Sequence, residues 1–133
     1  MTEKAVIDAQ VLFYFHYDYQ KIPLILQQLK KKVITGDITV IIPTIAIAEL
    51  FSKMRRAGKI TAFKKAFNRW ESSENIIIDS FNSEIIKLMS NNAKSHELHD
   101  EIIAMTCKKH DTDIIYSKDK NFKTLFNLQL RSW

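Results

Sequence analysis

Residues 95–119 read SHELHDEIIAMTCKKHDTDIIYSKD. Ser95 is a helix-capping residue type. Leu98, Ile102, Met105 and, beside them, Ile103 recur at helical spacing, which predicts a helix over 96–110. The apolar run from Asp113 to Tyr116 then predicts a short buried strand. An acid, Asp119, stands just past it. Strands alternating with helices define an α/β fold with a mainly parallel sheet, and ligands gather beyond the carboxyl ends of such strands.

The same alternation extends outward. Residues 3–7 predict a buried strand that ends at Asp8, and Val11 to Phe15 opens a helix, with a break near Asp18 to Gln20. Ile22, Ile25, Leu26, Leu29 and Val33 form one stripe of a helix over 22–34. Gly36-Asp37 is a turn, and Thr39 to Ile42 a second strand. Pro43 or Thr44 starts a helix, Pro suiting its first turn and Thr its cap. That helix runs to about Ala57 and stops near Gly58. A basic helix over 59–71, a strand from Asn75 to Asp79 and a helix over 82–92 follow. Beyond Tyr116, Asp119 to Phe126 reads as a turn or short helix, and Leu128 to Arg131 as a last edge strand.

The bulk properties agree. A chain of 133 residues fits one domain, 1–133. It has 2 Gly and 2 Pro against 19 Ile, which favours long regular elements and argues against a turn-rich sandwich. The single cysteine, Cys107, excludes an intramolecular disulfide and a cysteine-based zinc site, and its helical position predicts a core residue. A reducing, cytoplasmic setting follows as an expectation. No run approaches the roughly 18 apolar residues of a membrane-spanning helix, and the N-terminus does not read as a signal peptide. The net charge of +5 suits a polyanionic partner. Residues 50–70 carry Lys53, Arg55, Arg56, Lys59, Lys64, Lys65 and Arg69, and Glu49 is the acid that precedes them.

Four acids stand out. Glu49 is the only charge in Ile45-Ala46-Ile47-Ala48-Glu49-Leu50-Phe51, where a carboxylate is costly unless paired, protonated or metal-bound; the alternative places it on a polar edge of its helix. Asp8 interrupts an apolar run, and as a helix N-cap it would need no further role. Asp100 falls near the start of its helix, where the macrodipole favours an acid. Asp119 also suits an ordinary turn. Parallel strands would bring Asp8 and Asp119 together, and the helices 44–57 and 96–110 would add Glu49 and Asp100. Carboxylates that close repel one another, and a divalent cation removes the conflict. An all-oxygen donor set favours Mg²⁺ or Mn²⁺.

In that order, Asp8, Glu49, Asp100 and Asp119 resemble the four-acid signature of PIN-domain ribonucleases, and most closely the VapC-type toxins of prokaryotic toxin–antitoxin pairs. The motifs are Val6-Ile7-Asp8-Ala9-Gln10-Val11-Leu12, Thr44-Ile45-Ala46-Ile47-Ala48-Glu49-Leu50, Asp100 to Cys107, and Ile114 to Phe122. They span residues 5–122. The resemblance implies a three-layer fold with a four- to five-stranded parallel sheet flanked by helices. It implies Mg²⁺- or Mn²⁺-dependent endonucleolytic cleavage of RNA, with the four acids as metal ligands or orienting the attacking water. Ser117 occupies a position where the family has Thr or Ser beside the site. A homodimer held inactive by a small antitoxin is also implied. Two departures are visible. Ala9-Gln10 replaces the usual Thr or Ser followed by Asn, and Asn121 stands where many relatives carry another Asp.

The basic stretch after Glu49, with Arg55, Arg56, Lys59 and the separate Lys118, would neutralise RNA phosphates. Phe63, Phe67 and Trp70 could stack on unpaired bases, but their helical spacing equally fits core or dimer contacts, or a groove for an antitoxin helix. His96 and His99 are three apart but lack a third soft ligand for zinc. His99-Asp100 also resembles the HD pair of an all-helical phosphohydrolase class, which the buried strands contradict. A competing reading keeps the fold without the chemistry, as a catalytically weak RNA- or protein-binding module. A phosphoacceptor receiver domain fits poorly, since only Asp8 follows the first strand and Glu49 falls on a helix.

Overall fold

The computed structural model describes residues 2–17, 21–92 and 94–133. The elements in chain order are β1 (Glu3–Ile7), α1 (Ala9–His16), α2 (Leu24–Thr35), β2 (Ile38–Pro43), α3 (Thr44–Arg56) and α4 (Ile60–Ser72). They continue as β3 (Ile76–Asp79), α5 (Ser83–Ser90), α6 (Leu98–Lys109), β4 (Ile114–Tyr116), α7 (Asn121–Thr124) and β5 (Gln129–Arg131). The five strands form one sheet in the order β3-β2-β1-β4-β5. All four pairings are parallel, for example Ala5↔Val40, Ile7↔Tyr116, Ile41↔Ile77 and Ile115↔Leu130.

Strand side chains alternate between faces with period two, and the burial follows that alternation. Ala5, Ile7, Val40, Ile42, Ile114 and Tyr116 join Val11, Leu12, Leu26, Leu29, Leu50 and Trp70 in one core. Val6, Ile41 and Ile115 join Ile85, Ile102, Met105, Cys107 and Phe122 in the other. The middle strands are thus covered on both faces, which is why they are continuous apolar runs. Cys107 is wholly buried, and burial pushes its thiol up to about 12, so it is inert core.

The sequence and the structure differ at several ends. α2 starts at Leu24, because Pro23 serves as its N-cap and disfavours helical geometry at Ile22. Gly36 ends it with φ 81°, a left-handed closure in which Gly36 N–H and Asp37 N–H reach back to Val33 and Lys32 carbonyls. Thr44 does not cap α3. Pro43 takes the cap position, and the Thr44 hydroxyl accepts from the Phe81 N–H at 3.3 Å. Ser95 does not cap α6 either. Glu97 does, accepting from the Asp100 N–H at 2.9 Å. The break expected near Asp18 to Gln20 lies outside the described residues. No described helix is long and apolar enough to cross a membrane.

Candidate active site

From β1 the chain goes to β2 and β3 on one side of the sheet and then to β4 and β5 on the other. The order reverses at β1, and a crevice opens where connections leave β1 and β4 in opposite directions. Asp8 is the first residue after β1, and Ser117 the first after β4. The pairing Ile7↔Tyr116 sets them side by side.

Asp8 is both an N-cap and a site group. One carboxylate oxygen accepts from the Gln10 N–H at 3.0 Å, capping α1. The other accepts from the hydroxyl of Ser117, which is fully buried. The Ser117 hydroxyl in turn accepts from the Asp119 N–H at 2.9 Å, and Asp119 Oδ1 accepts from the Asn121 N–H at 2.9 Å. Gln10 Oε1 accepts from the Lys118 N–H at 3.0 Å. Two hydrogen-bonded routes therefore tie the end of β1 to the loop after β4. Asn121 contributes its backbone, and no hydrogen bond of its side chain was found among the described residues.

The electrostatics identify which carboxylates feel one another. Asp8 is pushed from its ordinary 3.8 up to about 6, chiefly by burial, with Glu49 adding to the rise; Ser117 and the N–H groups of Gln10 and Val11 oppose it. Asp100 also rises to about 6, first from burial, then from the charges of Asp119 and Glu97. Glu49 is raised by burial and by Glu97, against the opposing pull of His99. Its Oε1 lies 3.3 Å from His99 Nδ1.

Glu49 corrects one expectation. Its side chain is 38 % exposed, so it sits on the polar edge of α3 while Ala46, Ile47, Leu50 and Met54 face the core. Its charge still reaches Asp8. The histidines also separate: His99 turns to Glu49, whereas the His96 ring lies 4.6 Å from that of Phe126. They form no zinc pair.

Asp8 feels the charge of Glu49, and Asp100 that of Asp119, so the four acids form two coupled pairs rather than one cage. Among the described residues no three acidic, imidazole or thiol groups stand ready as a ligand set. The donor chemistry nonetheless fits a hard divalent cation. All four donors are carboxylates, and three of them have a raised pKa, chiefly from burial, with neighbouring carboxylates adding to the rise and His99 opposing it at Glu49 and Asp100.

Arg55, Arg56, Lys59 and Lys118 are all exposed. Arg55 lies 5.0 Å from the Phe51 ring centroid and Lys59 4.8 Å from that of Tyr17. Phe63 and Phe67 stack at 6.0 Å, and Trp70 meets both edge-on at 6.1–6.3 Å. Trp70 is buried in the core, and Phe63 and Phe67 are half-buried against it, as the core reading expects.

Glu97, and the contact of His99 with Glu49, escaped the sequence reading. Glu97 sits three residues before Asp100, a spacing that allows capping, but Ser95 offered a stronger cap type. The His99–Glu49 contact crosses two helices and leaves no local signal. Asp79 was also passed over. Like Asp8, it ends an apolar strand, and it is buried; but it is held by Lys109 Nζ at 2.8 Å and His110 Nε2 at 2.7 Å.

A parallel sheet with coupled carboxylates beyond β1 and β4 defines an α/β protein with an acidic site at its switch point. The PIN domain family matches residues 5–125, and the chain belongs to that family. No curated protein sequence matches the chain. Several solved structures share its fold. VapBC2 from Rickettsia felis, bound to a DNA fragment from its promoter, aligns with TM-score 0.68 and 16% identity, over 98% of this chain and 98% of that one. A toxin–antitoxin complex from Klebsiella pneumoniae aligns with TM-score 0.63 and 13% identity, over 90% and 89%. FitAcB from Neisseria gonorrhoeae aligns with TM-score 0.58 and 16% identity, over 95% of each chain.

Proposed function

We propose that this chain is a divalent-metal-dependent endoribonuclease, the toxin of a toxin–antitoxin pair, acting as a single cytoplasmic domain that pairs into a homodimer and is restrained by a small antitoxin. The observation that carries the catalytic reading is the hydrogen-bonded line Asp8–Ser117–Asp119, with Asp100 electrostatically coupled to its far end. The toxin and antitoxin roles rest on the fold shared with toxin–antitoxin complexes.

Asp8, Glu49, Asp100 and Asp119 would hold Mg²⁺ or Mn²⁺. Such an ion, when bound, lowers the pKa of its water and neutralises charge on a phosphodiester. The residues supply the rest. Ser117 fixes the rotamer of Asp8 by donating to it. Asn121 and Ser117 aim Asp119 from opposite sides of its turn. Asp100 would hold the ion or orient the attacking water; in the metal-free protein its carboxyl is raised to about 6, chiefly by burial. Arg55, Arg56, Lys59 and Lys118 would meet RNA phosphates. Gln10 supports the site in place of the family's usual Asn, since its longer amide reaches the Lys118 N–H.

The test is cleavage of total cellular RNA by the purified protein with Mn²⁺, Mg²⁺ or EDTA, beside Asp100→Asn. Metal-dependent cutting that the variant lacks is the expected result. No cutting, together with no rise of melting temperature on adding Mn²⁺, rejects the nuclease and leaves a PIN-fold binding module.

A further inference from the structure

A cavity of about 290 Å³ adjoins the carboxylates, lined among the described residues by Gln10, Phe13, Tyr14, Tyr17, Lys53 and Lys118. From this lining we infer a nucleotide subsite that takes one unpaired nucleotide of single-stranded RNA next to the bond to be cut. The inference rests on the nuclease reading above.

Three features carry it. The first is aromatic. Phe13 and Tyr17 lie four apart on one face of α1 and its C-cap, and Tyr14 stands beside them. All three are half-buried: one side packs on the core, and the rings still line the cavity. A base has a π-face of matching size, and stacking on aromatic rings is the usual means of holding an unpaired base. The second is cationic. Lys53 Nζ lies 4.4 Å from the Phe13 ring centroid and 4.8 Å from that of Tyr17, and Lys59 Nζ lies 4.8 Å from Tyr17. The ammonium groups lie over the ring faces, so a base that stacks there displaces them toward its own phosphates. Among the described residues no acid lines it, and its lysines complement a phosphate. The third is continuity. Gln10 and Lys118 line the cavity, and they are also the residues joined across the site, with Gln10 N–H on Asp8 and Lys118 next to Asp119. A nucleotide seated here would lie beside the residues that adjoin Asp8 and Asp119. The volume is near the lower bound of small-ligand clefts, which suits one base rather than a duplex.

The subsite assigns a division of labour. Tyr17, with Phe13 and Tyr14, grips the base, and Lys53 and Lys118 grip the phosphates.

The experiment measures binding without turnover. The full chain in EDTA is titrated into a labelled single-stranded RNA and into an abasic strand of the same length. The wild type is expected to prefer the base-bearing strand by about tenfold, as a stacking contact gives. Tyr17→Leu, which keeps apolar packing but loses the ring face, is expected to abolish that preference, and Tyr17→Phe to retain it. Lys53→Met should weaken both strands alike and lower the salt slope by about one. Equal binding of the two strands by the wild type, or no binding of either, overturns the subsite, and this comparison involves no variant that could misfold. A preference that survives in Tyr17→Leu overturns it as well. Base-dependent binding without metal-dependent cleavage would reject the nuclease alone, and cleavage without base-dependent binding would reject the subsite alone.

Discussion

Ser117 is the smallest side chain of the candidate site and the most deeply buried. Its hydroxyl has one proton, spent on Asp8, and a lone pair spent on the Asp119 N–H. Ser117→Ala therefore leaves two polar groups short of a partner, at about 1–3 kcal/mol. The bond to Asp8 favours the charged carboxylate, so the loss in urea unfolding should be larger at pH 8 than at pH 5. Asp8 itself sets a second pH dependence. In the folded, metal-free protein its pKa is about 6, against 3.8 ordinarily. The folded state then binds more protons than the unfolded chain between those values, so stability falls as pH rises through that window. The interval is worth about 3 kcal/mol. His16 works the opposite way, since burial lowers it to about 4 and the unfolded chain gains a proton below 6.5. Only a variant separates the two. In EDTA, Asp8→Asn should be more stable than wild type at pH 8 by up to about 3 kcal/mol, and the gap should close near pH 4. A gap that does not change with pH would show that Asp8 is not held against its charge.

Whole elements explain what was and was not legible in the sequence. β1 and β2 are readable as short apolar runs and α3 from its period near 3.6; α6 follows its stripe less closely, with Leu98 exposed. Element ends are less readable. Ser95 is the better cap type, yet Glu97 caps α6 because the chain leading into the helix turns where Glu97 can reach the Asp100 N–H. A carboxylate ending or interrupting an apolar run marks Asp8 and Glu49, and the same rule applies equally to Asp79. Only the tertiary contact distinguishes them. Asp8 faces another carboxylate, whereas Asp79 faces Lys109 and His110 at the end of α6. That contact ties β3 to the helix that presents Asp100. Asp79→Ala removes one partner of a buried charge cluster, and the expected cost is ~3 kcal/mol. Cleavage per folded molecule should be retained, because none of the four site acids changes. A variant with normal urea stability but lost cleavage would instead bring Asp79 into the site.

At the scale of the whole molecule, the sheet order places these acids where burial and like charge oppose folding in the absence of a cation. β1 is central, its end is buried, Asp8 is held there and feels Glu49, and Asp100 feels Asp119. Each raised carboxylate is a cost of the metal-free fold, and a cation removes it by mass action on the folded state. Mn²⁺ should therefore raise the melting temperature, by an amount equivalent to about 2.7 kcal/mol at a hundredfold excess over its dissociation constant. The carboxylates must lose their protons to bind, so the rise should be large at pH 7.5 and small at pH 5, on either side of the pKa values near 6. Asp100→Asn should start higher than wild type in EDTA, because the repulsion from Asp119 is gone, and should respond less to Mn²⁺. EDTA should return wild type to its starting value. A rise that is equal at both pH values, or equal in wild type and Asp100→Asn, would mean that the ion binds elsewhere on the surface and that the acids at the switch point do not hold it.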